Sequence, residues 1–190
     1  MIRARLSTTP LLEAARSPMD LPAGYSVGIE NSADEIRISI FKDGQRNGFG
    51  LLGPIWGSIE LEEPAWDCSG AWAVSLSGAA KGWGPLLYDV ALEYTTKIAG
   101  GLISDRESVS GEAENIWRYY NTRRSDVKKS QLDDTENTLT PTQKDNCAQG
   151  SAEELPEPWH DKKNPLSKIY TKSQSQTMDA LKKMGKLSIT

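Results

Sequence analysis

The sequence predicts an α/β (α+β) fold, a mixed and mostly antiparallel sheet flanked by helices and followed by an extended C-terminal arm. Three observations support this prediction. Residues 35–42 alternate apolar and polar side chains and lead into Asp43-Gly44, a strong β-hairpin signal. Residues 70–97 have the pattern of a strand, a glycine-containing turn and a helix. Residues 128–158 are polar and acidic and show no periodicity.

The segments before residue 70 continue the antiparallel pattern. Residues 1–8 alternate apolar with basic side chains, as in a half-exposed strand. Residues 10–16 have room for two turns of helix, with Thr9 as the cap. Further strands are predicted at 25–30, 46–52 and 55–61.

The strand, turn and helix after residue 70 form the centre of the predicted fold. Residues 71–76 are a short apolar run, typical of a strand buried on both faces. Residues 77–84 contain three glycines, two alanines and no large aliphatic side chain, so the main chain can lie close to a ligand. Pro85 suits a first helical position, and Asp89 and Glu93 fall on the polar side of the helix. Such a helix start is an anion site, because unpaired N–H groups converge there.

A second strand and helix follow the central helix. Gly100-Gly101 ends the central helix, and residues 102–104 are a short strand candidate. Ser110 is a good cap for a helix that reaches about residue 123.

The composition change at residue 128 predicts two parts, a domain over 1–127 and an extended polar arm over 128–190. Apolar anchors are widely spaced in the arm. Its last part contains a short terminal helix marked by Met178, Leu181 and Met184. We expect the arm to dock against the domain or against another subunit.

Composition excludes several classes of function. The net charge of −4 and the pI near 5.2 disfavour a nucleic-acid binder. Two cysteines and one histidine provide neither a disulfide framework nor a histidine-based metal site, so we expect two reduced thiols and no metal. No apolar run is long enough to span a membrane, and the first residues lack the apolar core of a signal peptide. These features predict a soluble protein kept in a cytoplasm.

The turn and the order of elements together resemble a known superfamily. The turn consists of Ala79, Ala80, Lys81, Gly82, Trp83 and Gly84. It resembles the acyl-CoA pyrophosphate loop of the GNAT superfamily, the Gcn5-related N-acetyltransferases, although that loop usually begins with Arg or Gln where this chain has alanine. The likeness covers residues 25–125. The runs KGWGPLLYDVALEY and SVSGEAENIWRYYNTRRSDV further resemble phage-encoded acetyltransferase-like proteins.

The resemblance implies an acetyl-CoA site at this loop and a set of catalytic side chains. A tyrosine on the second helix acts as the acid in many GNAT enzymes, and Tyr120 fits that position best, with Tyr119 one residue away. Tyr120 also lies on the apolar helix face, which suits a core tyrosine equally well. The base is expected to be a carboxylate near the fourth strand, with Glu60, Glu62 and Asp67 as the candidates.

Two functions from different classes remain open at this stage. The first is an acyl-CoA-dependent N-acyltransferase acting on an amine. The second is a non-catalytic GNAT-fold component of a phage virion, in which the C-terminal arm binds partner subunits. The resemblance places the protein in the host cytoplasm or in the virion. A nucleophile formed by Cys147 with His160 and Asp161 has little support, because nothing in the local sequence orients these side chains.

Overall fold

The computed structural model describes residues 15–42, 55–63, 68–132, 147 and 163–190. In these residues eight strands form one mixed, mostly antiparallel sheet, accompanied by three α-helices, so the predicted mixed class is confirmed. The strands are β1 (Tyr25–Asn31), β2 (Glu35–Lys42), β3 (Gly57–Glu62), β4 (Trp72–Ala79), β5 (Leu102–Ile103), β6 (Lys128–Gln131), β7 (Lys168–Thr171) and β8 (Leu187–Ile189). The helices are α1 (Gly84–Ile98), α2 (Gly111–Arg123) and α3 (Gln176–Lys183).

The strands lie in the order β6-β7-β5-β4-β3-β2-β1-β8. The pairs β4–β5 and β1–β8 are parallel, and the other neighbours are antiparallel. The predicted alternation in β2 is confirmed, because Ile36, Ile38 and Ile40 are buried while the residues between them are partly exposed. No helix within the described ranges is both long and apolar enough to cross a membrane.

The parallel pair formed by β4 and β5 is very short. Its register joins Trp72 to Leu102 and Ala73 to Ile103, whereas β4 continues to Ala79. Close main-chain contacts hold the start of β5 in place. A Cβ atom on Gly100 would lie 2.3 Å from the carbonyl oxygen of Ser69, so no side chain fits there. The later half of β4 is therefore not paired with β5.

Helix α1 follows the predicted start but is more deeply buried than predicted. It begins at Gly84 with a proline in its first turn. Glu93, predicted on the polar side, is only 1% exposed. Its carboxylate accepts hydrogen bonds from Lys172 Nζ at 2.7 Å and from the amides of Thr177 and Met178 at 2.9 and 2.8 Å. The prediction for Glu93 was wrong because the C-terminal chain covers this side of α1.

The described part of 128–190 is integrated into the sheet. Strand β7 lies between β6 and β5, and β8 lies beside β1 at the opposite edge. The predicted terminal helix is confirmed as α3. This arrangement differs from the extended arm predicted for 128–190, of which residues 133–146 and 148–162 lie outside the described part. Strand β6 is short and polar, and β7 has only two apolar residues, Ile169 and Tyr170, so neither gave a strand signal by itself.

A disulfide joins Cys68 to Cys147, and both residues are fully buried. The expectation of two reduced thiols was therefore wrong. The two cysteines are 79 residues apart, and no spacing pattern in the sequence indicated the pairing. They pack in a small cluster with Ala71, Ala73, Ile103, Leu132 and Ile169.

Some predicted elements lie outside the described residues. These are the strands at 1–8 and 46–52 and the Asp43-Gly44 turn. Of the helix predicted at 10–16, residues 10–14 also lie outside the described residues. Residues 15–17 are described and are not helical.

We expect the disulfide to contribute strongly to stability. Replacing Cys68 and Cys147 together by alanine should lower the free energy of unfolding by about 4 kcal/mol, since the bond closes a long loop in the unfolded chain. Urea unfolding of the double variant and the parent measures this. In the parent, unfolding without reductant should release no titratable thiol, and the appearance of two thiols would contradict the bond.

We also expect the Glu93 carboxylate to be essential for folding stability. Glu93→Gln keeps the side-chain shape but removes the nearer counter-charge of the buried Lys172 ammonium, leaving only the Asp126 carboxylate at 3.7 Å, at a cost of about 3 kcal/mol in the free energy of unfolding. Asp34→Asn, at an exposed position, is the control and should change stability by less than about 0.5 kcal/mol. Equal stability of the two variants in urea would refute this role.

Candidate functional site

A cavity of about 490 Å³ lies where β4, the glycine turn, the start of α1 and the start of α2 meet. This volume is within the range of small-molecule sites. The part of β4 on the wall, from Ser77 to Ala79, lies beyond the short pairing of β4 with β5. Its wall is formed by Ser58, Ile59, Ser77, Gly78, Ala79, Ala80, Lys81, Gly82, Gly84, Pro85, Leu87, Tyr88, Ser110, Glu112, Ala113 and Ile116.

The start of α1 has no side-chain cap. Trp83 is the N-cap residue, and its side chain accepts no hydrogen bond from the helix. Within the described part of the chain, the amides of Gly84 and Leu86 make no hydrogen bond to the protein. These amides are the groups that bind anions at helix starts.

Five of the six predicted loop residues line the cavity, and Trp83 does not. Its side chain is 5% exposed and belongs to the hydrophobic core, so it does not fill the cavity. The turn is held by a hydrogen bond from the Trp83 amide to the Ala80 carbonyl oxygen, 3.0 Å long. Gly82 adopts a φ of +87°, a conformation that favours glycine.

Two basic residues accompany the loop. Lys81 is exposed at the cavity wall. The Arg16 amide donates a 2.8 Å hydrogen bond to the Gly82 carbonyl oxygen, which brings a second basic residue next to the turn. Sequence reasoning missed Arg16, and no local pattern connects it to the loop.

The predicted acid Tyr120 lies in the core and not on the cavity wall. It is 2% exposed, and its hydroxyl donates to Asp89 Oδ1 at 2.8 Å. Its ring packs with those of Trp117 and Tyr170. Burial, together with the Asp89 carboxylate, raises the pKa of Tyr120 well above its usual value. Tyr119 packs edge-on against Tyr120 and is also absent from the wall.

A different tyrosine lines the cavity. Tyr88 on α1 is 2% exposed, and its hydroxyl lies 3.0 Å from Ser77 Oγ on β4. Burial raises the pKa of Tyr88, with the Ser77 hydrogen bond acting in the opposite direction. Ser58 also lines the wall, and its buried hydroxyl has no hydrogen-bond partner among the described residues. Sequence reasoning overlooked Tyr88, although it follows the helix start by one turn.

Two of the three candidate bases, Glu60 and Glu62, do not line the cavity. Glu60 accepts a 2.8 Å hydrogen bond from Arg37 Nε. Partial burial raises the pKa of Glu62, and the nearby carboxylates of Asp105 and Glu107 add to this effect. The remaining candidate, at position 67, lies outside the described residues.

Arg106 and Cys147 have structural partners. The buried Arg106 guanidinium donates to Ser104 Oγ at 3.2 Å and to the carbonyl oxygens of Leu166 and Cys147 at 2.9 and 2.7 Å. Burial lowers the pKa of Arg106 to about 9. The disulfide removes Cys147 as a nucleophile, and residues 160 and 161 lie outside the described ranges. The described residues contain no group of three or more potential metal ligands.

Comparisons of the chain with family models, with curated proteins and with solved structures found no match in any of the three. The geometry of the cavity is therefore the basis for assigning a function. The superfamily resemblance stays a hypothesis.

We expect the buried tyrosines to resist alkaline ionisation. Their raised pKa values mean that the folded state favours the protonated phenols of Tyr88, Tyr120 and Tyr170. This contribution to stability is fully present below the unfolded pKa of about 10 and is lost as the pH rises through the higher folded values. Tyrosinate absorbance should therefore increase less in the folded protein than in denaturant at about pH 11. Identical titration curves in the two states would contradict the burial of these hydroxyls.

Proposed function

We propose that this chain is an acyl-CoA-dependent N-acyltransferase of the GNAT type, with an amine as acceptor. The observation that supports this most is the cavity at an uncapped helix start. An acyl-CoA combines a diphosphate with a long, narrow acyl-bearing arm, so it needs anion-binding amides next to an elongated space between secondary-structure elements.

The residues around the cavity fit such a ligand. Gly84 lies on the cavity wall and Leu86 follows it in the first helical turn. Among the described residues neither amide has a backbone partner, so both are suited to the diphosphate, and the exposed Lys81 on the wall adds positive charge. The wall formed by β4 and the start of α2 is suited to the arm that carries the acyl group. The bound thioester supplies an activated acyl group, and the protein positions it.

The order of the elements also supports the GNAT type. An antiparallel meander leads into β4, the turn and α1, and a short strand and a second helix follow. The resemblance implies that the strand after the central helix separates from its neighbour. Strand β5 leaves β4 after two paired residues, in agreement with that expectation.

A second candidate function is a non-catalytic assembly role in a phage virion. The position of Tyr120 in the core favours it, since the acid that the resemblance implies is then not at the cavity. The disulfide favours the virion over the host cytoplasm, because cytoplasmic reductants keep thiols reduced. Residues beyond 132 would contact the partner subunits.

Calorimetric titration of the full chain with acetyl-CoA tests the enzyme hypothesis. We expect binding in the micromolar range and loss of at least tenfold in affinity for Ala113→Phe, because the larger side chain fills the cavity. Asn115→Phe adds the same ring to an exposed position of α2 and should bind like the parent.

Two outcomes would decide against the enzyme hypothesis. One is the absence of binding to the parent chain at millimolar acetyl-CoA. The other is equal affinity of the Ala113→Phe and Asn115→Phe variants, which would place the ligand elsewhere. Either result would leave the assembly role as the better explanation of the fold.

A further inference from the structure

Among the described residues on the cavity wall, one titratable side chain is buried. Of the titratable residues that line it, Lys81 and Glu112 are exposed, whereas Tyr88 is buried. The Tyr88 hydroxyl and Ser77 Oγ, 3.0 Å apart, form a polar pair on an otherwise largely apolar wall. A buried polar pair at a ligand cavity fixes the orientation of a polar group on the ligand.

The geometry points to Tyr88, and not Tyr120, as the catalytic residue that donates a hydrogen bond to the departing thiolate during acyl transfer. This inference rests on the proposed function. Tyr120 is excluded because its hydroxyl donates to Asp89 within the core. Tyr88 is the tyrosine on the wall, and Ser77 can accept or donate as the Tyr88 hydroxyl turns toward the ligand.

The reaction step balances without a change in the protonation of Tyr88. The acceptor nitrogen forms a bond to the acyl carbon, the carbon–sulfur bond breaks, and its electron pair goes to sulfur. The proton lost from nitrogen goes to water, and the thiolate leaves with the Tyr88 hydrogen bond. The ordinary pKa of tyrosine, about 10, already exceeds that of a free thiol, about 8.5, and burial raises the pKa of Tyr88 further, so the hydroxyl keeps its proton and acts as a donor.

Coenzyme A itself is a suitable probe, because its free thiol is the product group that Tyr88 would contact. A hydrogen bond to the charged form favours ionisation. We therefore expect a roughly tenfold larger thiolate fraction for bound than for free coenzyme A below pH 8, measured by thiolate ultraviolet absorbance. Tyr88→Phe should abolish this increase while retaining coenzyme binding. Tyr120→Phe and Tyr119→Phe, which change tyrosines away from the cavity wall and keep the donor, should preserve it.

The outcomes separate this inference from the proposed function. If coenzyme A binds the parent but Tyr88→Phe shows the same thiolate fraction, the role of Tyr88 is wrong and the coenzyme site stands. If Tyr120→Phe alone removes the increase, Tyr120 has the role instead. If coenzyme A does not bind the parent chain, the proposed function fails and this inference fails with it. Melting temperatures of the three variants check that each is folded.

Discussion

The parallel pairing of β4 with β5 lasts for two residues on each strand, and the candidate site depends on this limit. Gly100 leaves no room for a side chain against the main chain near Ser69, so the start of β5 is pressed against the start of β4. After Ile103 the chain leaves the sheet to begin α2. The remaining part of β4 faces a space instead of a strand. A longer β5 would pair with β4 and eliminate the cavity.

The C-terminal chain stabilises the helix that borders this space. Glu93 on α1 satisfies two amides at the start of α3 and pairs with Lys172, so α1 and α3 are linked through one buried carboxylate. On the other side of α1, the Asp89 carboxylate accepts hydrogen bonds from the Tyr120 hydroxyl and from Arg124 at the end of α2. Helix α1 is thus connected on both sides by charged hydrogen bonds, while the first-turn amides of Gly84 and Leu86 have no backbone partner among the described residues.

Local patterns in the sequence were sufficient for most of the elements. Alternation located β2, and the strand predicted at 25–30 matches β1. The Ser110 cap located the start of α2, where its hydroxyl accepts from the Ala113 amide. Contacts between distant segments were not predictable in this way. A four-residue strand such as β7 is too short to show an alternating sequence pattern, and it forms only by pairing with neighbouring strands.

In the candidate site, too, local sequence patterns were predictable and contacts between distant segments were not. The turn at 79–84 was predicted because all of its residues are consecutive in the chain. The hydrogen bond from the Arg16 amide to the turn joins segments that are distant in the chain. The hydrogen bonds of Tyr120 with Asp89 and of Tyr88 with Ser77 also depend on the folded structure and not on a local pattern. Helical periodicity placed Tyr120 on an apolar face, but it did not indicate whether that face would border a cavity or the core.

The bond between Cys68 and Cys147 makes a covalent ring that includes β4, α1, β5, α2 and β6. A protease that cuts once inside this ring leaves both pieces attached to each other. The nicked molecule would keep the mass of the intact chain, apart from one water, on a non-reducing gel and would separate into two fragments only after reduction. Backbone cleavage within the ring therefore does not by itself release the helices that border the cavity.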